Sequence, residues 1–562
     1  MYIARNSLFG KGGWTRPGKD KEADVNVTGT ELAQYHVEDR IAVLAIDHPP
    51  VNALSHCVRI ALAEGVARAL EDPHADALVL ICNGRTFFAG ADVKELGRPI
   101  EPPKLADIMA RFEASTKPVI SAMHGTALGG GFELALAGHF RVGVPSLVVG
   151  LPEVALGLLP GAGGTQRVPR IVGAEKGLEL IGLGRHIRAE EALALGLLDA
   201  VVAEDDLQDE AVAFARTAVD QGRPLTRVRD IELECSQADF DILAEGFRER
   251  HPQLFVGLKA PAGAIEAVRA AALLPFDEGI ARERELASGL TASPESAAQR
   301  HLFFAERAAQ KIAGATGKVA APGSMRVTGE WPAAARFRDH LVVDGEALRV
   351  VADDVDFATY AARIADAGEA PVVVATRHLD RFAELRVRMR SDAMLVGLNE
   401  THGIWEIVLH EEDSPVAAMT VMGLARAESV PAIFVRPLPG LVIARMQGVF
   451  AAAVAALLEE GVENADIAAS VQAYGFAFAM TGRASAPGQE RDEIAHRIVA
   501  ECAAEATRMI GEGAVLRGSD IDFAMVRAGL WPLWRGGPAF VAEREGATRI
   551  AQWREPRRVT TS

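Results

Sequence analysis

From about residue 34 the sequence alternates short apolar runs with segments of helical periodicity, and this alternation constrains the fold most. The first strand candidates are 40–47, 76–84, 118–125 and 146–150, and the helix candidates are 58–72, 177–184 and 189–196. Such βα alternation predicts an α/β domain with helices packed over the faces of a sheet. After about residue 222 the pattern becomes helical, and 294–314 is typical of an amphipathic helix that ends in glycine.

Further domains are expected beyond this helix, because 562 residues are too many for a single hydrophobic core. Residues 314–332 are rich in Gly, Pro and small side chains, which indicates a linker. A second α/β stretch follows, with strand candidates at 348–354, 370–376, 393–398, 404–410 and 431–436. From 440 onward the pattern is helical, and 444–461 matches 496–513 in apolar phasing. This internal repeat predicts duplicated helical units that stack on one another.

Composition excludes several classes of partner and site. The net charge of −17 argues against nucleic acid or an anionic membrane as the main partner, although a local basic rim could still hold a phosphorylated small molecule. Four scattered cysteines without CxxC spacing suit a reducing compartment and argue against a structural metal. We find no apolar run long enough to span a bilayer. Residues 1–33 contain no signal peptide, and we interpret them as a flexible extension. The C-terminal RRVTTS is not a peroxisomal address. A cytoplasmic enzyme is therefore expected.

The segment ALGGGFELAL (127–136) joins a glycine run to a helix-like apolar stretch. Glycines let a ligand approach the backbone, and the first turn of a helix leaves free N–H groups whose dipole suits a developing oxyanion. The amide of Gly130 is one candidate donor. The Ala-Gly-Ala turn after the strand at 76–84 offers the amide of Ala91 as a second.

Two isolated carboxylates lie in this apolar region, Glu133 in ALGGGFELAL and Glu153 in the turn after 146–150. A returning strand could bring them together, and apolar walls would raise the pKa of at least one. Such a pair can hold a water between a base and an acid, and an oxyanion hole beside it points to a polarised thioester. The alternative is that both are ordinary helix-terminus residues with solvated or capped carboxylates, and spacing alone leaves the two interpretations open.

Five ordered motifs resemble the crotonase superfamily, most closely its enoyl-CoA hydratases. They are HPPVNALS (48–55), FFAGADVKEL (87–96), ALGGGFELAL, GLPEVALGLLPGAGGTQRVPRIVG (150–173) and AEEALALGLLDAVV (189–202). The resemblance implies a spiral ββα crotonase core over 34–225 with a helical tail over 226–313. Modest departures from the family pattern are His124 and Gly138-His139, and we interpret both histidines as local packing variants.

The same resemblance implies roles for individual residues. Glu133 would mainly activate water, Glu153 would mainly deliver a proton to the α-carbon, and the amides of Ala91 and Gly130 would form the oxyanion hole. Coenzyme A, as part of the substrate, would be bound by Pro50, Val51, Ala89, Ala91, Asp92, Val93 and Lys94, with Lys94 near the nucleotide phosphate. No separate cofactor and no metal ion are expected.

The second half resembles the C-terminal part of multifunctional fatty-acid oxidation proteins, most clearly over 521–546. Those proteins fuse a hydratase to an NAD-dependent 3-hydroxyacyl-CoA dehydrogenase. Residues 318–337 lack the G-x-G-x-x-G that a dinucleotide fold needs, and Asn399 and Ala444 stand where the family has catalytic histidine and asparagine. We do not expect His402 or His410 to replace the catalytic histidine, because a base needs a partner that orients it and only Glu406 and Glu411 are candidates for that partner.

We therefore predict a degenerate, non-redox Rossmann-like domain over 314–436, followed by helical dehydrogenase-type repeats at 437–488 and 489–562, with no NAD binding. The expected activity is hydration of a trans-2-enoyl-CoA. The alternatives are other crotonase chemistry on a CoA thioester (isomerisation, hydrolysis or carbon–carbon cleavage), a bifunctional hydratase–dehydrogenase, or a second half that serves as an interaction or lid module. The expected partner is an acyl-CoA thioester. A homo-oligomer, or association with other enzymes of acyl-CoA metabolism, stays open.

Overall fold

The structure is a computed structural model in which two compact units meet in sequence between Ala297 and Ala298. The division falls inside the segment predicted as helical tail, and the predicted domain boundaries are not otherwise tested. The structure describes residues 32–92, 95, 98–312, 325–328, 348–352, 372–376, 394–399, 402–409, 415–427, 429–437, 441–476 and 488–555.

The N-terminal unit is built on a six-stranded sheet in the order β1-β2-β3-β4-β6-β9. Its strands are β1 (Ala33–Glu38), β2 (Ile41–Ile46), β3 (Ala77–Cys82), β4 (Val119–Met123), β6 (Phe140–Gly143) and β9 (Ala200–Val201). Only β1 and β2 pair antiparallel, and the other neighbours are parallel. Every residue of β2, β3 and β4 is buried, as continuous apolar strands covered on both faces should be. The predicted α/β class is confirmed.

A second, three-stranded sheet positions the candidate site. It contains β5 (Thr126–Leu128), β7 (Val148–Gly150) and β8 (His186–Arg188), in the order β5-β7-β8. Strands β5 and β7 are parallel, with Leu128 opposite Gly150. Because parallel strands end at the same edge of a sheet, the segments that leave β5 and β7 start side by side. Those segments carry Glu133 and Glu153.

Helices surround these sheets. They are α1 (His56–Glu71), α2 (Leu105–Ala114), α3 (Gly130–Ala137), α4 (Gly164–Val172), α5 (Ala174–Gly182), α6 (Ala189–Ala194), α7 (Leu207–Asp220), α8 (Gln237–Arg250), α9 (Ala260–Leu273) and α10 (Phe276–Thr291). Helix α11 (Pro294–Ala309) follows in the chain, and most of its residues belong to the second unit. A 3-10 turn spans Pro152–Leu156. Helix α11 ends five residues before the predicted glycine terminus at 314.

The second unit contains a six-stranded sheet whose order is sequential, β10-β11-β12-β13-β14-β15. Its strands are β10 (Met325–Thr328), β11 (Leu348–Ala352), β12 (Val372–Thr376), β13 (Met394–Asn399), β14 (Ile404–Val408) and β15 (Ala432–Val435), and only β13 and β14 pair antiparallel. All five strand candidates are present. Strand β10 lies in the segment interpreted as a linker, so that interpretation was wrong at Met325–Thr328, where four residues are too few to show a period. The sheet does not have the 3-2-1-4-5-6 order of dinucleotide-binding folds.

The remaining helices are α12 (Pro415–Ala427), α13 (Leu441–Glu459), α14 (Asn464–Tyr474), α15 (Gly488–Gly511), α16 (Gly518–Arg527) and α17 (Pro538–Arg554). The repeat is visible in the helices: α13–α14 and α15–α16 are each a long helix followed by a short one. Each short helix is followed by a glycine with positive φ, Gly475 (118°) and Gly529 (70°).

Helix α13 corrects the expectation about membrane-spanning runs. By length and composition alone its 19 residues could cross a bilayer, with a mean hydropathy of 2.0 over the most apolar window. Its buried side chains, among them Ile443, Met446 and Leu457, belong to the hydrophobic core of the second unit. Arg445 on the same helix forms ion pairs with Glu505 and Glu512 of α15. One face of α13 thus packs in this core, although only 33% of its most apolar window is buried.

Candidate active site

The glycine run between β5 and α3 sets the position of Glu133 and of the surrounding backbone. Gly129 has φ of 51° and ψ of −128°, a conformation that side-chain-bearing residues rarely adopt. At Gly131 a Cβ atom would lie 2.2 Å from the carbonyl oxygen of Phe88, so only glycine allows this approach. Glu133 follows in the first turn of α3, as predicted.

The carboxylate of Glu133 is buried and held by backbone amides. Its Oε1 accepts hydrogen bonds from the N–H groups of Ala162 (2.8 Å) and Gly164 (2.7 Å), at the start of α4. Burial raises the pKa of Glu133, and these amide hydrogen bonds and the charge of Arg167 lower it again in part. A carboxylate that accepts two amide hydrogen bonds is favoured in its ionised form.

Glu153 lies in the 3-10 turn after β7, directly over Gly129. A Cβ atom built on Gly129 would be 2.5 Å from Oε1 of Glu153. Its Oε2 is buried and accepts no hydrogen bond from the described residues. Burial raises the pKa of Glu153 well above its ordinary value, and the negative charges of Glu133 and Glu283 raise it further.

The two carboxylates therefore lie in unequal environments, although both are isolated in the sequence. Glu133 is stabilised as an anion by amides, whereas Oε2 of Glu153 has no donor among the described residues and Glu153 faces two like charges. Of the two, Glu153 has the more strongly raised pKa, so a proton shared by the pair favours Glu153. Pairs of titratable groups whose environments separate their pKa values serve as a base and an acid.

The two predicted oxyanion donors are brought together in the N-terminal unit. Leu54 donates its N–H to the carbonyl oxygen of Gly90 (2.9 Å), which fixes the turn before Ala91. A Cβ atom built on Gly130 would lie 3.7 Å from the amide nitrogen of Ala91. Neither the Ala91 nor the Gly130 amide hydrogen is used by another described residue. Two backbone amides brought close together in this way can bind one oxygen atom.

The residues predicted to bind coenzyme A lie partly at the surface. Pro50 and Ala91 are exposed, and Val51, Ala89 and Asp92 are half-buried. The N–H of Ala89 donates to the carbonyl oxygen of Val51 (3.2 Å), so these two segments are adjacent. Val93 and Lys94 lie outside the described residues.

Sequence reasoning missed a third buried glutamate, Glu283 of α10. Its carboxylate oxygens accept hydrogen bonds from Gly163 and Thr165, in the same turn that binds Glu133. It also missed Arg167, whose guanidinium pairs with the buried Glu113 (2.6 Å) and donates to the carbonyl oxygen of Ala162 (3.0 Å). The available signal was GAGGTQ (161–166), a glycine-rich helix start suited to an anion.

The histidines singled out by sequence make local contacts. His139 is buried, its Nδ1 accepts the N–H of Val119 (3.1 Å), and burial lowers its pKa to about 4. His124 Nε2 contacts the carbonyl oxygen of Gly84 at 3.1 Å. His402 contacts the carbonyl oxygen of Ala528 (3.2 Å) through Nδ1.

The other residues considered for the second half are positioned as follows. Glu406 accepts the amide of Val442 (2.7 Å) at the start of α13. Asn399 ends β13 and Ala444 lies in α13, whereas His410 and Glu411 lie outside the described residues. Among the described residues, no group of three or more His, Cys, Asp or Glu is arranged to hold a metal ion.

Comparison with known proteins identifies the class of the first domain. Residues 36–232 match the family model for enoyl-CoA hydratase/isomerase. This segment is therefore a crotonase-type domain, as its motifs predicted.

Among curated proteins, the peroxisomal bifunctional enzyme of Danio rerio is 42% identical over 283 residues, covering 50% of this chain and 39% of that protein. The Homo sapiens enzyme of the same name is 38% identical over 286 residues, with coverages of 50% and 39%. A glyoxysomal fatty acid beta-oxidation multifunctional protein of Cucumis sativus is 34% identical over 295 residues, with coverages of 50% and 40%. The matched part thus spans about two fifths of the length of these relatives.

Among solved structures, an enoyl-CoA hydratase from Bacillus anthracis is 26% identical, covers 49% of this chain and 96% of its own, and has a TM-score of 0.32. One from Mycobacterium avium subsp. paratuberculosis is 21% identical, with coverages of 48% and 97% and a TM-score of 0.35.

Proposed function

We propose that the N-terminal unit hydrates a trans-2-enoyl-CoA thioester to the 3-hydroxyacyl-CoA by syn addition of water. The observation that carries this proposal is the unequal pair Glu133 and Glu153 next to the backbone amides of Ala91 and Gly130. The match of residues 36–232 to the hydratase/isomerase family supports the reaction class.

In this mechanism the amides of Ala91 and Gly130 donate to the thioester oxygen and stabilise the negative charge that develops there. Glu133 accepts a proton from the bound water as its oxygen bonds to C3, and the π electrons move to the thioester. Glu153 then gives its proton to C2, which completes the addition. Once the product has formed, Glu133 is protonated and Glu153 is ionised, so a proton must return to Glu153 before the next turnover.

Isosteric substitutions test this assignment. We expect Glu133→Gln and Glu153→Gln each to lower kcat by about 10²- to 10⁴-fold, the range typical of a lost acid or base. The assay follows loss of the conjugated thioester absorbance of crotonyl-CoA. Glu190→Gln, at an exposed glutamate of α6, is the matched control and should keep wild-type turnover. Near-normal hydration by either catalytic variant with an intact fold would refute the mechanism.

Double-bond isomerisation is the second candidate, because a carboxyl group over the α-carbon, in its ionised form, can also take the C2 proton of a 3-enoyl-CoA and deliver it to C4. Only hydration requires a second carboxylate to activate water. A 3-enoyl-CoA substrate therefore separates the two reactions. If isomerisation occurs, Glu133→Gln should abolish hydration and leave a measurable isomerase rate, whereas Glu153→Gln should abolish both.

We also propose that the second half has no dehydrogenase activity and binds no NAD. This proposal is supported by the lack of a G-x-G-x-x-G motif and by the sequential order of the described strands. It is also supported by Asn399 and Ala444, which stand at the positions of the catalytic histidine and asparagine. Calorimetric titration with NAD is the test, and micromolar binding would revive the bifunctional alternative.

The compartment and the assembly state remain predictions. The names of the matched relatives are peroxisomal and glyoxysomal, whereas a cytoplasmic enzyme was predicted from the sequence. Cell fractionation would decide the compartment, and light scattering of the full chain would decide the assembly state.

A further inference from the structure

Glu283 is a fully buried carboxylate that the proposed mechanism does not use. Its Oε1 accepts the N–H of Gly163 (2.7 Å), and its Oε2 accepts the N–H (3.1 Å) and the hydroxyl (2.6 Å) of Thr165. Both oxygens are thus occupied by the turn 161–165 that begins α4. The glutamate itself comes from α10, 120 residues further along the chain than Gly163.

The amides of this turn alternate between two glutamates. Ala162 and Gly164 donate to Glu133, whereas the intervening Gly163 and the following Thr165 donate to Glu283. A turn held from two sides has little freedom to rotate its N–H groups. The position of Oε1 of Glu133 therefore depends on contacts made by Glu283.

Close packing fixes α10 against this turn. One helical turn before Glu283, a Cβ atom on Gly279 would lie 2.1 Å from Oε1 of Gln166, so glycine is needed for the approach. Gln166 Nε2 donates to the carbonyl oxygen of Ala267 (2.9 Å) and to Oγ1 of Thr165 (2.9 Å). Since Thr165 Oγ1 accepts from Gln166, its own hydrogen is free for Glu283.

Every group that contacts the carboxylate of Glu283 is therefore a donor, which suits an acceptor-only anion. Burial and the charge of Glu133 raise the pKa of Glu283 to about 8, and the three hydrogen bonds oppose this shift. The charged groups that face the turn are Glu133, Glu153 and Arg167. At alkaline pH, where Glu283 is ionised, its charge also contributes to the raised pKa of Glu153.

We propose that Glu283 is a positioning residue of the hydratase site, which clamps the turn 161–165 so that its amides keep Glu133 in place as an anion. This inference rests on the proposed function. It extends the working site beyond residues 36–232 into helix α10.

The test compares Glu283→Gln with Glu285→Gln, an exposed glutamate on the same helix. Glutamine has one carbonyl oxygen, so its amide group must face a backbone N–H and one clamp contact is lost. We expect kcat to fall about 10- to 100-fold with little change in KM, as for a carboxylate misplaced by less than about 1 Å. Glu285→Gln should match the wild type.

The pH profile is a readout that a purely structural role would not move. Without the charge of Glu283, the pKa of Glu153 falls, so the alkaline limb of kcat moves to lower pH. The alkaline limb of Glu283→Gln should therefore lie at lower pH than that of the wild type, and an unmoved alkaline limb would overturn the proposal.

Amide hydrogen exchange over 161–167 tests the clamp independently of catalysis. We expect faster exchange there in Glu283→Gln, and unchanged exchange would overturn the proposal. If wild-type protein does not hydrate crotonyl-CoA, the proposed function fails, while the exchange result still decides the clamp. Should Glu283→Gln not fold, Thr165→Val removes one of the three hydrogen bonds. Because it keeps the charge of Glu283, it should lower kcat and speed exchange over 161–167 without moving the alkaline limb, and wild-type values of both would refute the clamp.

Discussion

Substitution of Gly164 by alanine is expected to displace Glu133 without unfolding the protein. Gly164 is the first residue of α4, and its N–H donates to Oε1 of Glu133 at 2.7 Å. A Cβ atom there would lie 2.9 Å from Oε1 and 3.0 Å from Cγ of Glu133. Alanine keeps the N–H and is favoured over glycine in helices by about 1 kcal/mol, so the substitution acts through the carboxylate rather than the backbone.

The size of the effect follows from that contact. Ordinary contacts begin near 3.4 Å, so the carboxylate must retreat by about 0.5 Å. Because a misplacement of about 1 Å costs about 100-fold in rate, we expect kcat to fall about tenfold, or about 1.4 kcal/mol in activation free energy.

Steady-state hydration of crotonyl-CoA measures this, with Gly161→Ala as the matched control. A Cβ atom on Gly161 meets no atom within 4 Å, so this variant of the same turn should keep wild-type activity. Wild-type turnover in Gly164→Ala, or an equal loss in Gly161→Ala, would show that the carboxylate is not positioned as argued here.

Three further results are expected. Gly129→Ala should lower kcat more than Gly164→Ala and also lower Tm, because its Cβ atom would lie 2.5 Å from Oε1 of Glu153 and its φ is 51°; equal effects would contradict this. Burial raises the pKa of Glu406 from 4.5 to about 7, so its stabilising contribution is full below pH 4.5 and lost as pH rises through 7. In denaturant titrations across that pH interval, the unfolding free energy of the wild type should fall by on the order of 3 kcal/mol more than that of Glu406→Gln. The same pH dependence of unfolding free energy in both proteins would argue against it. Arg167→Met should cost about 3–5 kcal/mol of unfolding free energy, because it breaks the buried pair with Glu113; a change below 1 kcal/mol would mean that Arg229 replaces it.

The sequence alone identified the elements with long, regular patterns. The apolar runs of β2, β3 and β4 and the amphipathic periods of α1 and α11 were readable because each repeats its signal over many residues. Three-residue strands such as β5, β7 and β8 were read poorly or not at all, because a period of two needs more residues to show. Strand β10, hidden in a glycine- and proline-rich stretch, was missed for the same reason.

Local motifs also located Glu133, Glu153 and the two oxyanion amides, since each depends on glycines adjacent in sequence. Only the resemblance assigned the two glutamates different roles, because spacing does not show which of them is the better anion. That depends on the amides of Ala162 and Gly164 reaching one carboxylate and leaving Oε2 of the other without a donor.

Only the tertiary structure brought Glu283 into the site, because contacts across 120 residues leave no local pattern in the chain. The sequence by itself determined the fold class, the candidate catalytic pair and the glycine-rich turns around it, through short-range periodicity and backbone requirements. The packing of α10 against α4 determined the electrostatics of that pair, because the pKa of a buried carboxylate depends on whatever the fold places beside it.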